Sequence, residues 1–157
     1  MISKEQSKSG SIGKRIGILS RASQVYFQHQ FRDYPLGHAQ VVTLHFICRH
    51  NGLIQNELVQ YLNLDKSSVS SQLNKLEENG YIKRIANEAD SRSRKIFITK
   101  KTKEFEDDLH QKFSAWSKIL LKGFSVEETE NVYHLLDKLI SNAHNAIEDC
   151  KIDEKEK

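Results

Sequence analysis

The sequence predicts a mainly α-helical chain with a small β-hairpin, a winged helix-turn-helix lobe joined to a helical dimerisation region. Three observations carry this reading. Two short apolar-periodic segments flank a tight break at Asn63-Leu64, a basic hairpin follows at once, and long helical stripes stand before and after.

Taken in order, residues 1–10 are polar and form an expected disordered tail. From Ser11 a helix is marked by Ile12, Ile16, Leu19, Ser23, Tyr26 and Gln30, with Phe27 and Phe31 widening its stripe, and it ends before Pro35, the only proline. Leu36-Gly37 leads into a helix over 38–49, where Val41, Val42, Leu44, Ile47 and Cys48 cover more than one face and so imply burial. Asn51-Gly52 closes it.

The first helix of the motif is carried by Ile54, Leu58, Tyr61 and Leu62. After the break at Asn63-Leu64, Asp65 with Ser67 offers side-chain oxygens to the orphan N–H groups of a second helix starting near Lys66. That helix buries Val69, Leu73 and Leu76 and ends at Asn79-Gly80, where glycine readily adopts the left-handed conformation. Its other face is Ser67, Ser68, Ser70, Ser71, Gln72 and Lys75. Small hydroxyls are mediocre helix formers with no use in a packing face. A helix entering a major groove can use them on phosphates or base edges, with Gln72 pairing bidentately to adenine and Lys75 reaching phosphate or guanine.

Beyond Gly80 the period turns toward that of strands. Residues 82–86 and 95–99 read as a hairpin around a polar tip, 87–94, and Lys83, Arg84, Arg92, Arg94 and Lys95 gather positive charge for a minor groove or flanking phosphates. A solvated charged turn is the commoner explanation of an isolated charge run. Following a capped, serine-rich helix, the same run is far more specific.

Thr99 caps a long helix carrying Phe105, Leu109, Phe113, Trp116 and Leu120, and Gly123 interrupts it. Ser125 with Glu128 forms a capping box for the last helix, whose stripe Val126, Thr129, Tyr133, Leu136, Ile140, Ala143 and Ile147 is heptad-like. Packing within one chain could cover that stripe. A second strip, Val132, Leu135 and Leu139, leaves too much apolar surface for a chain of this size and favours a homodimer built from the first and last two helices. The expected organisation is a tail at 1–10, an N-terminal dimerisation helix at 11–35, the winged lobe at 36–99, C-terminal dimerisation helices at 100–150 and a disordered tail at 151–157.

The run Asp65-Lys66-Ser67-Ser68-Val69-Ser70, then Leu73-x-x-Leu76-Glu77-x-x-Gly80-Tyr81-Ile82-x-Arg84, then Asp90-x-Arg92 and Ile98-Thr99, resembles the multiple-antibiotic-resistance regulator (MarR) family over nearly the whole chain. The resemblance implies that residues 67–75 read the major groove and that Asp90 and Arg92 form an ion pair presenting the arginine to DNA. It further implies a small aromatic or phenolic effector bound between the dimer-forming helices and the DNA-binding lobe. Candidate lining residues are Tyr26, Phe31, Tyr34, His38, His45 and Trp116, although aromatics at helical spacing are more often plain core. In one departure, the glycine the family usually carries three residues after the threonine following the wing is Thr102 here.

Composition narrows the function classes. A net charge of +3 with 29% charged residues says little, but residues 66–103 are locally basic and 127–156 acidic, which polarises the field. Neither a signal peptide nor a long apolar run is present, so the expectation is a cytoplasmic protein without a membrane partner. There is no glycine-rich phosphate loop, Ser-His-acid signature or His-Glu-x-x-His motif, so no enzymatic activity and no cofactor are expected. His38 and His45 with His29 or His110 could approach a metal, but no ligand spacing supports one. Cys48 and Cys150 lack a CxxC pattern. The reading is therefore a homodimeric, sequence-specific regulator of double-stranded DNA, a repressor at a pseudo-palindromic operator released by a small ligand. The alternatives are a winged-helix protein-interaction module and a redox- or metal-responsive regulator of the same fold.

Overall fold

The computed structural model describes residues 11–153 and divides into two compact units, one ending at Trp116 and the other beginning at Ser117. The first unit opens with α1 (Ile12–Gln30), whose first turn is capped by the Ser11 hydroxyl accepting from the Lys14 N–H. The helix stops four residues before the sequence suggests. Phe31 is the C-cap and residues 31–34 form a turn, closed by Tyr34 N–H to Phe31 O at 3.0 Å and Leu36 N–H to Tyr34 O at 2.8 Å. Next, α2 (His38–Arg49) begins where the Gln40 Oε1 accepts from the Gly37 N–H at 2.6 Å.

A strand that sequence periodicity misses follows. Leu53 and Ile54 form β1, so Ile54 enters the sheet and precedes α3 (Gln55–Leu62) instead of belonging to its apolar face. Tyr61, also assigned to that face, is exposed and stacks on Phe46 at 3.7 Å between ring centroids. Gly52 has φ +94°, and a Cβ there would lie 3.1 Å from the Phe97 ring, so both conformation and space ask for glycine.

The helix α4 (Lys66–Glu78) follows the expected boundaries. Asp65 caps it, Val69, Leu73 and Leu76 are fully buried, and Gly80 at φ +74° ends it in a Schellman pair, Gly80 N–H to Glu77 O and Tyr81 N–H to Leu76 O. The wing is β2 (Ile82–Asn87) against β3 (Asp90–Ile98), with β1 on the other side of β3, giving the antiparallel order β1-β3-β2. The pairing runs from Ile82 with Ile98 to Asn87 with Asp90, with an irregularity between Ala86 and Asn87. The eight-residue tip read from the sequence is thus a tight turn at Glu88-Ala89, and Arg92 and Arg94 lie on a strand.

From Lys100 the chain enters α5 (Lys100–Leu120). Phe27 of α1 and Phe31 at its C-cap, Val41, Leu44 and Ile47 of α2, Leu53, Leu58, the three α4 residues, Tyr81, Ile82, Ile96, Ile98, Phe105 and Leu109 make one core. That core holds the front of α4 and the wing in fixed relation.

The second unit contains the end of α5, a turn with Gly123 at φ +89°, and α6 (Val126–Asp153). The capping box is present: Ser125 N–H donates to Glu128 Oε2 at 2.8 Å and Glu128 N–H to Ser125 Oγ at 3.1 Å. Tyr133, Leu135, Leu136, Leu139, Ile140 and Ile147 are all exposed. The first expected tail, 1–10, and residues 154–157 of the second lie outside the described residues, as does the Cys150 side chain, while α6 continues through residues 151–153.

Candidate nucleic-acid interface

The 3.6-residue period of α4 turns Ser67, Ser70, Ser71, Asn74, Lys75 and Glu78 toward one open surface, opposite Val69, Leu73 and Leu76. Its N-terminus is held by a carboxylate. Asp65 accepts from the Ser67 hydroxyl, from the Ser68 hydroxyl at 2.6 Å and from the Ser68 N–H at 2.8 Å, which together hold its carboxyl well below the usual range. Ser67 therefore donates to the cap; it does not supply the capping oxygen. Ser68, read as a contact residue, is likewise committed to Asp65.

Gln72 sits at the flank of the helix, and its Oε1 accepts from the hydroxyl of Thr43, a buried α2 residue. The amide oxygen needed for bidentate pairing with adenine is thus already engaged inside the protein.

Arg84 is similarly committed. Its Nε donates to Glu77 Oε2 at 2.9 Å, its Nη2 to the same oxygen and to Asn74 Oδ1 at 2.8 Å, and its backbone N–H to Glu77 Oε1 at 3.0 Å. The guanidinium hydrogen bonds keep the Glu77 carboxyl below its ordinary value. Arg84 is a clamp between β2 and α4, not a charge waiting for phosphate. Glu77 and Asn74 were absent from the expected site, although Asn74 lies three and four residues from Ser71 and Ser70 on the same face.

Alternation along β3 separates the remaining charges. Arg92 and Arg94 continue the side of Ile96 and, with Gln55 and Asn56 of α3 and Ser93, line a groove of about 290 Å³ beneath the wing. Lys95 falls on the opposite side beside Ile85 and Phe97. Asp90 meets Arg92 through the backbone, its Oδ1 accepting from the Arg92 N–H at 3.0 Å, and this contact replaces the expected ion pair. A short acid beside a turn readily bonds the backbone two residues on.

The junction of wing and α5 is stitched by two threonines. Thr99 Oγ1 donates to Gly80 O at 2.7 Å, and the fully buried Thr102 hydroxyl donates to Tyr81 O.

The six residues read as an effector pocket lie in an aromatic layer. Tyr26 stacks on Trp116 at 4.6 Å, whose Nε1–H donates to Ser23 Oγ at 3.0 Å. Phe31 is 2% exposed, and Tyr34 packs on Phe105 at 4.5 Å while its hydroxyl donates to Asp108. His38 lies beside Phe27 with its pKa lowered by burial. His45 stacks flat on Phe113 at 3.8 Å with His110 at 5.0 Å, and burial, then His110, then Arg49 lower its pKa to about 4. Among the described residues no three histidine, cysteine or acidic side chains are placed to hold a metal ion, and no helix is long and apolar enough to cross a membrane. Burial pushes the Cys48 thiol up to about 12, away from the reactive thiolate.

A capped helix with a hydroxyl-rich open face, preceded by a short helix and followed by an arginine-bearing hairpin, defines a winged helix-turn-helix protein. A family profile described as MarR family matches residues 34–93, which run from the end of the α1 turn into β3. The uncharacterized HTH-type transcriptional regulator YybA of Bacillus subtilis is 28% identical over 129 residues, 82% of this chain and 86% of that protein. A MarR transcriptional regulator from Methanosarcina mazei is 31% identical, with a TM-score of 0.78, covering 86% of this chain and 97% of the other. A MarR family regulator from Listeria monocytogenes, solved in complex with a 26mer DNA, is 26% identical with a TM-score of 0.83, covering 87% and 91%. The chain belongs to the MarR family, a family of transcription factors and not of enzymes.

Proposed function

We propose that this protein is a homodimeric, sequence-specific DNA-binding regulator acting in the cytoplasm as a repressor at a pseudo-palindromic operator. The observation that carries the reading is the link between the open α4 face, with Ser70, Ser71, Asn74 and Lys75, and the groove lined by Arg84, Arg92 and Arg94, which meet where Arg84 Nη2 donates to Asn74 Oδ1 at 2.8 Å. A helix front of that kind suits a major groove, and two arginines on a projecting hairpin suit the neighbouring phosphates or minor groove. The Listeria relative's complex with a 26mer DNA supports DNA as the partner. In this reading the contact set is Ser70, Ser71, Lys75, Arg92 and Arg94, while Ser67, Ser68, Gln72, Arg84 and Asp90 hold them in place, and Lys95 reaches only a more distant phosphate. Release by a small aromatic or phenolic effector would act on the α1–α2–α5 aromatic layer, where the ligand must displace a ring pair such as Tyr26–Trp116.

The test is selection of bound sequences from a random duplex pool, followed by salt titration on the selected site. A two-fold dimer should select an inverted repeat with half-sites about 34 Å apart. Arg92→Ala and Arg94→Ala should each weaken binding to all sequences and reduce the salt slope by about 1. Absence of any enriched repeat, with both variants behaving as wild type, would leave protein docking as the use of this surface.

A further inference from the structure

We infer that Asn74 is a specificity-determining residue that reads guanine, and that Arg84 and Glu77 are positioning residues that set which end of its amide faces the DNA. This rests on the DNA-binding reading above. Asn74 is exposed on the open face of α4, beside Ser71 and Lys75. An asparagine there can present either its oxygen or its NH2 group, and pairing with adenine needs both, one accepting from N6 and the other donating to N7.

The choice is removed by a donor-only neighbour. The Arg84 guanidinium has five N–H donors and no acceptor, so an amide touching it must turn its oxygen inward. Arg84 Nη2 lies 2.8 Å from Asn74 Oδ1. The guanidinium is itself fixed by Nε and Nη2 donating to Glu77 Oε2, and its strand position is fixed by the backbone N–H to Glu77 Oε1. Only 18% of the Arg84 side chain is exposed, so its pairing with Glu77 is partly shielded from solvent, while its bond to Asn74 lies at the surface. With Oδ1 drawn toward Arg84, the end of the amide that Asn74 turns outward is Nδ2 with its two hydrogens.

Such a group matches the one base with two adjacent major-groove acceptors, guanine with N7 and O6, and meets a donor at the N6 of adenine. The relay also ties base choice to the wing, because Arg84 belongs to β2 and Asn74 to α4.

Selection from a random duplex pool with the full chain tests the inference. Wild type should enrich an inverted repeat with guanine at one symmetric position per half-site, favoured roughly 5- to 150-fold over other bases. Asn74→Ala should flatten the preference at that position alone. Arg84→Met combined with Glu77→Gln removes the guanidinium, keeps an acceptor for the residue 84 N–H and frees the amide oxygen; the same position should move from guanine to adenine. If the repeat is enriched but Asn74→Ala leaves every base preference intact, the assignment fails while the DNA-binding reading stands. Guanine retained by the double variant would show that Arg84 does not orient the amide. Should the double variant not fold, Asn74→Ala decides alone, and a wild type that enriches nothing overturns both readings.

Discussion

Thr102 shows how much one side chain can decide. Where the resembled family usually carries glycine, this chain places a hydroxyl that is fully buried and donates to the Tyr81 carbonyl at the turn from α4 into β2. The same carbonyl also accepts from the Thr99 N–H at 3.1 Å, so removing the Thr102 hydroxyl does not orphan it. Thr102→Val should therefore cost only about 1 kcal/mol, the net value of a typical internal hydrogen bond, read as a lower urea midpoint at unchanged slope. Arg84 and Gln72 teach the converse at this scale. Their residue types suggested DNA contacts because charge and amide groups are legible in a sequence, whereas the partners that occupy them are not. Glu77 lies seven residues before Arg84 and Thr43 twenty-nine before Gln72, and only the fold brings either pair together.

Elements are legible where a cap and an apolar period mark them. The buried face Val69, Leu73 and Leu76 and the Asp65 cap mark α4 in sequence and in structure, because packing and capping impose the 3.6-residue period that sequence records. The strands of the wing run further toward its tip than their residue types suggest. Its outer half pairs Arg94 with Ala86 and Asp90 with Asn87 beyond the core, where no apolar alternation can appear and residue types of low strand propensity are tolerated. Two-residue β1 carries no periodicity at all. Packing of α2 against α5 has a pH signature. His45, between Phe113, His110 and the Arg49 charge, and with Glu106 3.6 Å from His110, has its pKa lowered from 6.5 to about 4. Between those values the unfolded chain binds a proton that the folded chain refuses, so stability falls as pH drops from about 6.5 toward 4. His45→Phe keeps a ring against Phe113 and should flatten that decline in urea midpoints. Part of the slope will remain, because burial also lowers the His38 pKa.

At the scale of the whole molecule the outstanding feature is exposed apolar surface. Ile12, Ile16, Ile18 and Leu19 on α1, and Tyr133, Leu135, Leu136, Leu139 and Ile140 on α6, all stand open to solvent in the single chain. Isolated apolar side chains on a surface need no explanation, but contiguous strips of this kind mark an association site. On α6 Val132 is half-buried, while Leu135 and Leu139 of the same strip and Tyr133, Leu136, Ile140 and Ile147 of the other are exposed; if a second copy covers them, a symmetric dimer would use the same helices from each chain. The proposed dimerisation would also have an energetic role. One lobe offers few base-reading groups, and linking two lobes makes the second half-site contact intramolecular, raising affinity by roughly 10²–10⁴-fold with no new kind of contact. Leu135→Glu with Leu139→Glu puts like charges into that interface without touching α4 or the wing. The variant should sediment as a monomer, retain its helical circular dichroism, and bind the selected inverted repeat weaker by about that avidity factor. A single half-site should bind both proteins alike. If instead the variant sediments as wild type does, the apolar strips of α6 are not the contact surface, and the spacing of two recognition helices must be set by other elements of the chain.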